Sequence, residues 1–359
     1  MNRVPVVRER NTKSVMELTP KTNEVLMKLK MLTVSVSIFF VFSPSHGISK
    51  TTLPQQSQEL NSAIQLIQEN RCEDALKMLS ELTQKNPNDS QAWFYLGVAS
   101  VKTKRVKTGS DALRKSIDLD SSFAPAHTFL SDALLQLGAL AEAAREAEQA
   151  SQLDPTDPEA YYKLAFARFR QGSMEDTVRY AELATTTKPD FAPAYLLKAQ
   201  ALIGLYRNSG PLGDKLLQEK VVSRYQQAAE TLAKYVGLVP ESEDRNLWAQ
   251  EIELLRNFSF TDNSALTARE LDTRPKIIAK PEPTSSEEAR SYQVRGTVIL
   301  RATFDTDGTV KNILVVQALP CGLTENAVKA ALKIQFNPAT LKGAPVPTFM
   351  SLEYGFNLY

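Results

Sequence analysis

The run PNDSQAWFYLGVASVKTKRVKTGSDALRKSIDLDS, Pro87 to Ser121, decides how the rest of the chain is read. Its opening proline recurs at Pro155 and Pro189, with Ser121 in the slot between, each 34 residues after the last. Inside the run, Gly97 belongs to a series of small residues on the same spacing: Ala63, Gly97, Ser131, Ala165 and Ala199. Gly109 belongs to a second such series, Ala75, Gly109, Ala143 and Thr177. A small residue in each of two helices lets them approach closely. Proline cannot continue a helix, because it lacks an N–H and crowds the preceding turn. Larger residues fill the space between: Trp93 with Leu96, Phe129 with Leu130, Tyr161 with Leu164. One hairpin cannot bury its own apolar face, so the period predicts a stack whose core lies between neighbours.

The hairpins fall near 56–89, 90–123, 124–157 and 158–191. A fifth starts at Ala192, but its closing Pro240 comes 51 residues after Pro189. That excess predicts an insertion near 207–222, with Ser209-Gly210-Pro211 as a loop. The segment from Glu241 to Asn257, with Trp248, Ile252, Leu254 and Leu255, reads as a capping helix that ends an array over 56–257. On "AWFYLG" (Ala92 to Gly97), "LDP" (Leu153 to Pro155) and the period, the array resembles the tetratricopeptide repeat (TPR) family. Ser100 and Gly109 depart from it, standing where the family has Tyr and Ala. The resemblance implies a concave groove lined by Phe94 and Val98, Thr128 and Asp132, Tyr162 and Phe166, Leu196 and Gln200. Such a lining implies an apolar helix or peptide as ligand.

After the array, residues 258–283 hold prolines, threonines and scattered charges without periodicity. They read as a linker able to uncouple two domains. From Gln293 the period changes to two: Val294, Gly296, Val298, Leu300, Ala302 and Phe304 alternate with Arg295, Thr297, Ile299, Arg301 and Thr303. Asp307-Gly308 before Val310 to Val316 predicts a hairpin. Thr324 suits an N-cap for a helix with Val328, Ala331, Leu332 and Phe336 on one stripe, stopped by Asn337-Pro338. A last strand follows from about Val346 to Leu358, and a short helix near Ser285 to Arg290 precedes the sheet. The expected fold is therefore multidomain: an all-α TPR solenoid, then a small α+β domain over 284–359 in the order α-β-β-α-β.

The motifs "SEEAR" (Ser286 to Arg290), "RGTVILRATFDTDGTV" (Arg295 to Val310), "LTENAVKAALKIQFNPA" (Leu323 to Ala339) and "GAPV" (Gly343 to Val346) resemble the C-terminal domain of TonB, the energy transducer of outer-membrane transport. The resemblance implies that the last strand takes up an extended segment of a partner at Thr348, Phe349, Met350, Ser351, Leu352, Glu353, Tyr354 and Phe356. It implies envelope proteins as partners, with outer-membrane receptors and a proton-driven motor among them. The Pro-rich spacer of that family is absent, and the apolar run Met31 to Phe42 holds no histidine.

That run, MLTVSVSIFFVF, follows Lys28 and Lys30 and has 12 residues, where a spanning helix takes about 20 apolar ones. Residues 1–47 read as an N-terminal tail with either a cleaved signal peptide or a retained signal anchor. Both place the rest in the periplasm, or on the periplasmic face of the inner membrane, of a Gram-negative-type bacterium. Net charge is +1 and no basic block points to nucleic acid. Two cysteines, Cys72 and Cys321, lie in different modules and make no disulfide framework. His127, in the slot of Trp93 and Tyr161, reads as a packing residue, and nothing suggests a metal, a cofactor or an enzyme. Two functions follow: a transducer held by its anchor, or a periplasmic adaptor that passes no force.

Overall fold

The computed structural model describes residues 55–205, 215–258 and 271–357. The expected signal segment, the Ser209-Gly210-Pro211 loop and residues 259–270 of the expected linker lie outside them. Helices pair in antiparallel hairpins: α1 (Gln55–Gln68) with α2 (Cys72–Lys85), α3 (Ser90–Lys102) with α4 (Val106–Leu119), α5 (Ala124–Gln136) with α6 (Leu140–Leu153), and α7 (Pro158–Arg170) with α8 (Met174–Thr187). The fifth pairs α9 (Ala192–Gly204) with α10 (Lys215–Leu238), and α11 (Glu243–Arg256) packs on α10. At 24 residues α10 is much longer than α8 at 14, so part of the expected insertion extends this helix.

The two small-residue series meet inside the hairpins. A Cβ built on Gly97 would stand 2.5 Å from Leu113 Cγ and 3.1 Å from the Gly109 carbonyl, so no side chain fits. One repeat later Ser131 Oγ donates to the Ala143 carbonyl at 2.8 Å. A further series on the same period governs the turn between the helices of the first four pairs. Asn70, Lys104, Gly138 and Gly172 all take a left-handed backbone, with φ of 60°, 65°, 76° and 79°. Only glycine does this freely.

The ring side chain at one slot of three first helices, α3, α5 and α9, also has a repeated task. Trp93 Nε1 donates to the Pro87 carbonyl at 2.9 Å and Tyr195 Oη to the Pro189 carbonyl at 3.1 Å. His127 Nε2 lies 3.2 Å from the Ser121 carbonyl. Each ties a helix to the turn six residues before it. His127 is buried, and its Nδ1 contacts Glu146 at 2.8 Å, which together with the weaker pull of Ser121 outweighs burial and raises its pKa.

The C-terminal region holds β1 (Lys276–Ala279), α12 (Glu287–Ser291), β2 (Gly296–Phe304), β3 (Val310–Gln317), α13 (Leu323–Ala331), β4 (Gln335–Asn337), β5 (Ala339–Leu341), β6 (Ala344–Val346) and β7 (Thr348–Phe356). Its main sheet is antiparallel in the order β3-β2-β7, with α13 across one face. Several details differ from the sequence reading, among them the start of the last strand, which is Thr348, with Val346 on β6. The helix is capped at Gly322 (φ 75°), not Thr324, whose hydroxyl instead bridges the Leu319 N–H and carbonyl at 2.8 Å each. It ends at Ala331, so Phe336 lies on β4, where its ring meets Phe304 at 4.5 Å. The expected linker contains β1, which pairs with β4.

Nor are the array and the C-terminal domain uncoupled: residues 53–359 form one compact unit. Helices α9 and α11 both pack on β3, and α11 touches α13. Apolar burial at this seam involves Trp248, Ile252, Leu255, Ile313, Leu314 and Val315. Burial of apolar surface drives the docking.

Candidate functional site

The side chains expected to line an open groove are mostly covered. Phe94 is buried edge-on against Phe123 at 5.0 Å and Phe129 at 5.3 Å, and Val98 is buried beside it. Thr128 Oγ1 donates to Asp157 at 3.1 Å, and Tyr162 packs edge-on against Phe191 at 5.4 Å. Leu196 is half-buried, and Gln200 lies buried in the cleft toward the C-terminal domain. Phe94, Thr128 and Tyr162 each meet the turn or first helix of the next repeat, at Phe123 and Phe129, Asp157 and Phe191, so neighbouring repeats cover them.

What enters the groove is the chain's own Tyr292, just past α12. Its hydroxyl donates to Asp132 Oδ1 at 2.7 Å, and its ring meets Phe166 edge-on at 5.3 Å. Lys163 Nζ donates to the same carboxylate at 2.5 Å, and Gln136 Nε2 to its other oxygen at 2.9 Å. Burial works against ionisation of Asp132, but Lys163 and these two donors prevail and hold its pKa below the usual range. Burial likewise opposes the charge on Lys163, and Asp132 outweighs it, keeping the ammonium protonated. Arg170 completes the clasp, donating to the carbonyls of Tyr292, Gln293 and Leu135. Gln293 Nε2 returns a bond to the Gln136 carbonyl at 2.9 Å.

The two edges of the main sheet differ. On β3, Val315 N–H donates to Glu251 Oε1 of α11 at 2.9 Å, and Ile313, Leu314 and Val315 are buried in succession. That edge is covered by the array. On the other side β7 has β2 as its one strand neighbour among the described residues, in unbroken register from Gly296↔Phe356 to Phe304↔Thr348.

In an antiparallel pair a residue's N–H and carbonyl point together toward or away from the partner strand. The Thr297 carbonyl is taken from the β3 side by Gln317 Nε2 at 2.6 Å, so its β7 partner Gly355 turns outward. By the same parity Phe349, Ser351 and Glu353 turn outward, and Lys280 Nζ reaches the Glu353 carbonyl from outside at 2.6 Å. The side chains of Leu352, Tyr354 and Phe356 are buried on the face under α13, with Met350 partly so and Thr348 also buried. Phe349 lies on the opposite face against Arg301, its ring centroid 4.3 Å from the guanidinium carbon. The eight residues expected to receive a partner strand therefore split into main-chain donors facing out and side chains that hold the sheet.

Among the described residues no group of three or more His, Cys, Asp or Glu could hold a metal ion. No described helix is long and apolar enough to cross a membrane. Cys72 and Cys321 are unpaired thiols.

Residues 281–358 match the family model described as the Gram-negative bacterial TonB protein C-terminal domain. Residues 60–122 match a tetratricopeptide repeat model, and 132–172 match a second TPR model. Among solved structures, one reported as a functional characterization of Pseudomonas aeruginosa pilF is similar at 16% identity, over 55% of this chain and 82% of that one, with a TM-score of 0.47. A crystal structure of MamA is similar at 20% identity over 49% of this chain and 96% of that one, with a TM-score of 0.41. No curated protein matches the chain. The chain thus carries TPR repeats followed by a TonB-type C-terminal domain, two kinds of non-catalytic interaction module.

Proposed function

We propose that this chain, TPR repeats joined to a TonB-type C-terminal domain, binds an extended segment of a cell-envelope protein by strand addition to β7. One observation carries the reading: β7 offers outward main-chain groups at Phe349, Ser351, Glu353 and Gly355, while the opposite edge is covered by α11. Main-chain pairing supplies affinity, and alternate side chains on the added strand supply selectivity. The array acts as the platform that holds the sheet by its other edge, and on β7 the side chain of Lys280, at the Glu353 carbonyl, is what an added strand would displace. Periplasm-facing segments of outer-membrane receptors are the partners this reading favours.

The adaptor reading, in which no force is passed, is favoured by the docked state of the domain. A transducer works by reaching across a gap, and here the domain is clasped to the array at Asp132, Arg170 and Glu251. Hydrogen exchange with and without such a receptor segment tests strand addition. The amides of Phe349, Ser351, Glu353 and Gly355 should gain protection. Binding that leaves those four unchanged would overturn it.

A further inference from the structure

We propose that the seat of the C-terminal domain on the array is proton-linked: the domain docks as Glu251 and Glu325 take up protons and loosens as they lose them. The inference does not depend on strand addition at β7. The two carboxyls come to one seam from opposite sides, Glu251 from α11 and Glu325 from α13, and are 4% and 5% exposed. Each has a partner across the seam. Val315 N–H donates to Glu251 Oε1 at 2.9 Å, and Trp248 Nε1 to Glu325 Oε1 at 2.7 Å. The second oxygen of Glu325 is buried with no hydrogen-bond partner.

Neither carboxyl has a cation at ion-pair distance among the described residues. Lys329 of α13 is committed to Glu243 at 3.1 Å and Asp244 at 2.8 Å, and Lys311 of β3 to Asp305 at 2.5 Å and Asp307 at 2.6 Å. The other titratable groups about the seam are Glu253 on α11 and Tyr235 on α10, neither of which brings positive charge. Apolar side chains (Leu247, Leu254, Val328 and Leu332) line much of the cleft of about 500 Å³ beside them, with Gln250, Lys311 and Asn312 among its polar lining. An ionised carboxylate is penalised in such a place far more than a neutral one.

Burial pushes Glu251 up to about 8 against the pull of the Val315 amide. It pushes Glu325 up to about 7, with Trp248 and Lys329 opposing and Asp244 adding to the rise. Freed into water, both carboxyls would titrate at about 4.3. The docked values lie above the free ones, so docking takes up protons. Its stability is complete below the free value and declines as pH rises through 7 and 8. Loosening would uncover the β3 edge at Val315.

Hydrogen exchange of the full chain between pH 5.5 and 8.5, corrected for intrinsic rates, reads this directly at the β3 amides. Protection at Val315 should fall by about tenfold or more in the native protein, since each linked proton contributes up to tenfold per pH unit. In the Glu251→Gln/Glu325→Gln double variant, whose amide oxygens can still accept both bonds, the fall should largely vanish. A flat profile in the native protein, or an undiminished slope in the variant, overturns the proposal. Amides of α1 to α4, away from the seam and from the His127–Glu146 pair, serve as the reference: a loss there as large as at Val315 would mean general unfolding and would equally overturn it.

Discussion

The Tyr292 hydroxyl and the Asp132 carboxylate, 160 residues apart in sequence, share a hydrogen bond of 2.7 Å inside the array. Lys163 neutralises the carboxylate, with 14% of its side chain exposed. Tyr292→Phe removes one bond to a charged acceptor and leaves the ion pair, so it should lower stability by about 2 kcal/mol. Asp132→Ala strands the ammonium and should cost about 3–5 kcal/mol. Denaturant unfolding of both variants checks the order, and equal losses would count against Asp132 as the centre of the clasp.

Lys104 takes the left-handed turn that Gly138 and Gly172 occupy in later repeats. Its ion pair with Glu287 at 3.5 Å is largely exposed and contributes little. Lys104→Gly should therefore raise stability by about 1 kcal/mol, the relief of a left-handed L-residue. Thermal unfolding would show it as a higher midpoint, and a lower one would mean that the Glu287 contact matters more than the backbone.

His127 titrates above its ordinary value because Glu146 favours the imidazolium. A raised pKa gives stability that is complete below about 6.5 and is lost as pH rises through the folded value. Native protein should lose more stability between pH 6 and 8.5 than His127→Gln, once the loss at the domain seam is removed with the Glu251→Gln/Glu325→Gln background. Matching slopes in the two proteins would argue against a charged His127.

Proline at two neighbouring positions of β7 should have opposite consequences. Glu353 turns its main chain outward, so Glu353→Pro should leave the sheet folded and abolish strand addition. Leu352 is buried and faces Leu300 across the ladder, so Leu352→Pro should unfold the domain itself. Circular dichroism with peptide binding separates the two, and retained binding by the folded Glu353→Pro variant would exclude that edge.

The repeat architecture was legible because a period of 34 residues is written into Gly97, Ser131 and their counterparts. The hairpin was legible at Asp307-Gly308, where Gly308 has a φ of 80°. The helix boundary was missed because Phe336 falls on the helical stripe of Val328 and Leu332, and a three-residue strand is too short to show alternation. Docking was missed for a different reason. Glu251 and Glu325 look like ordinary solvated acids in sequence, and nothing local to either shows that Val315 or Trp248 will close over it. The left-handed series was available at Gly138 and Gly172 but hidden by Asn70 and Lys104.

The cover that α11 lays over β3 sets the valence of the molecule. A sheet with two bare margins can be a link in an endless ladder, each copy templating the next. With one margin sealed, this sheet is a terminator: two copies joined along β7 would make a closed pair with nothing left to extend. A chain crowded beside many copies of itself would in this way be kept from growing, through its main sheet, into a fibre.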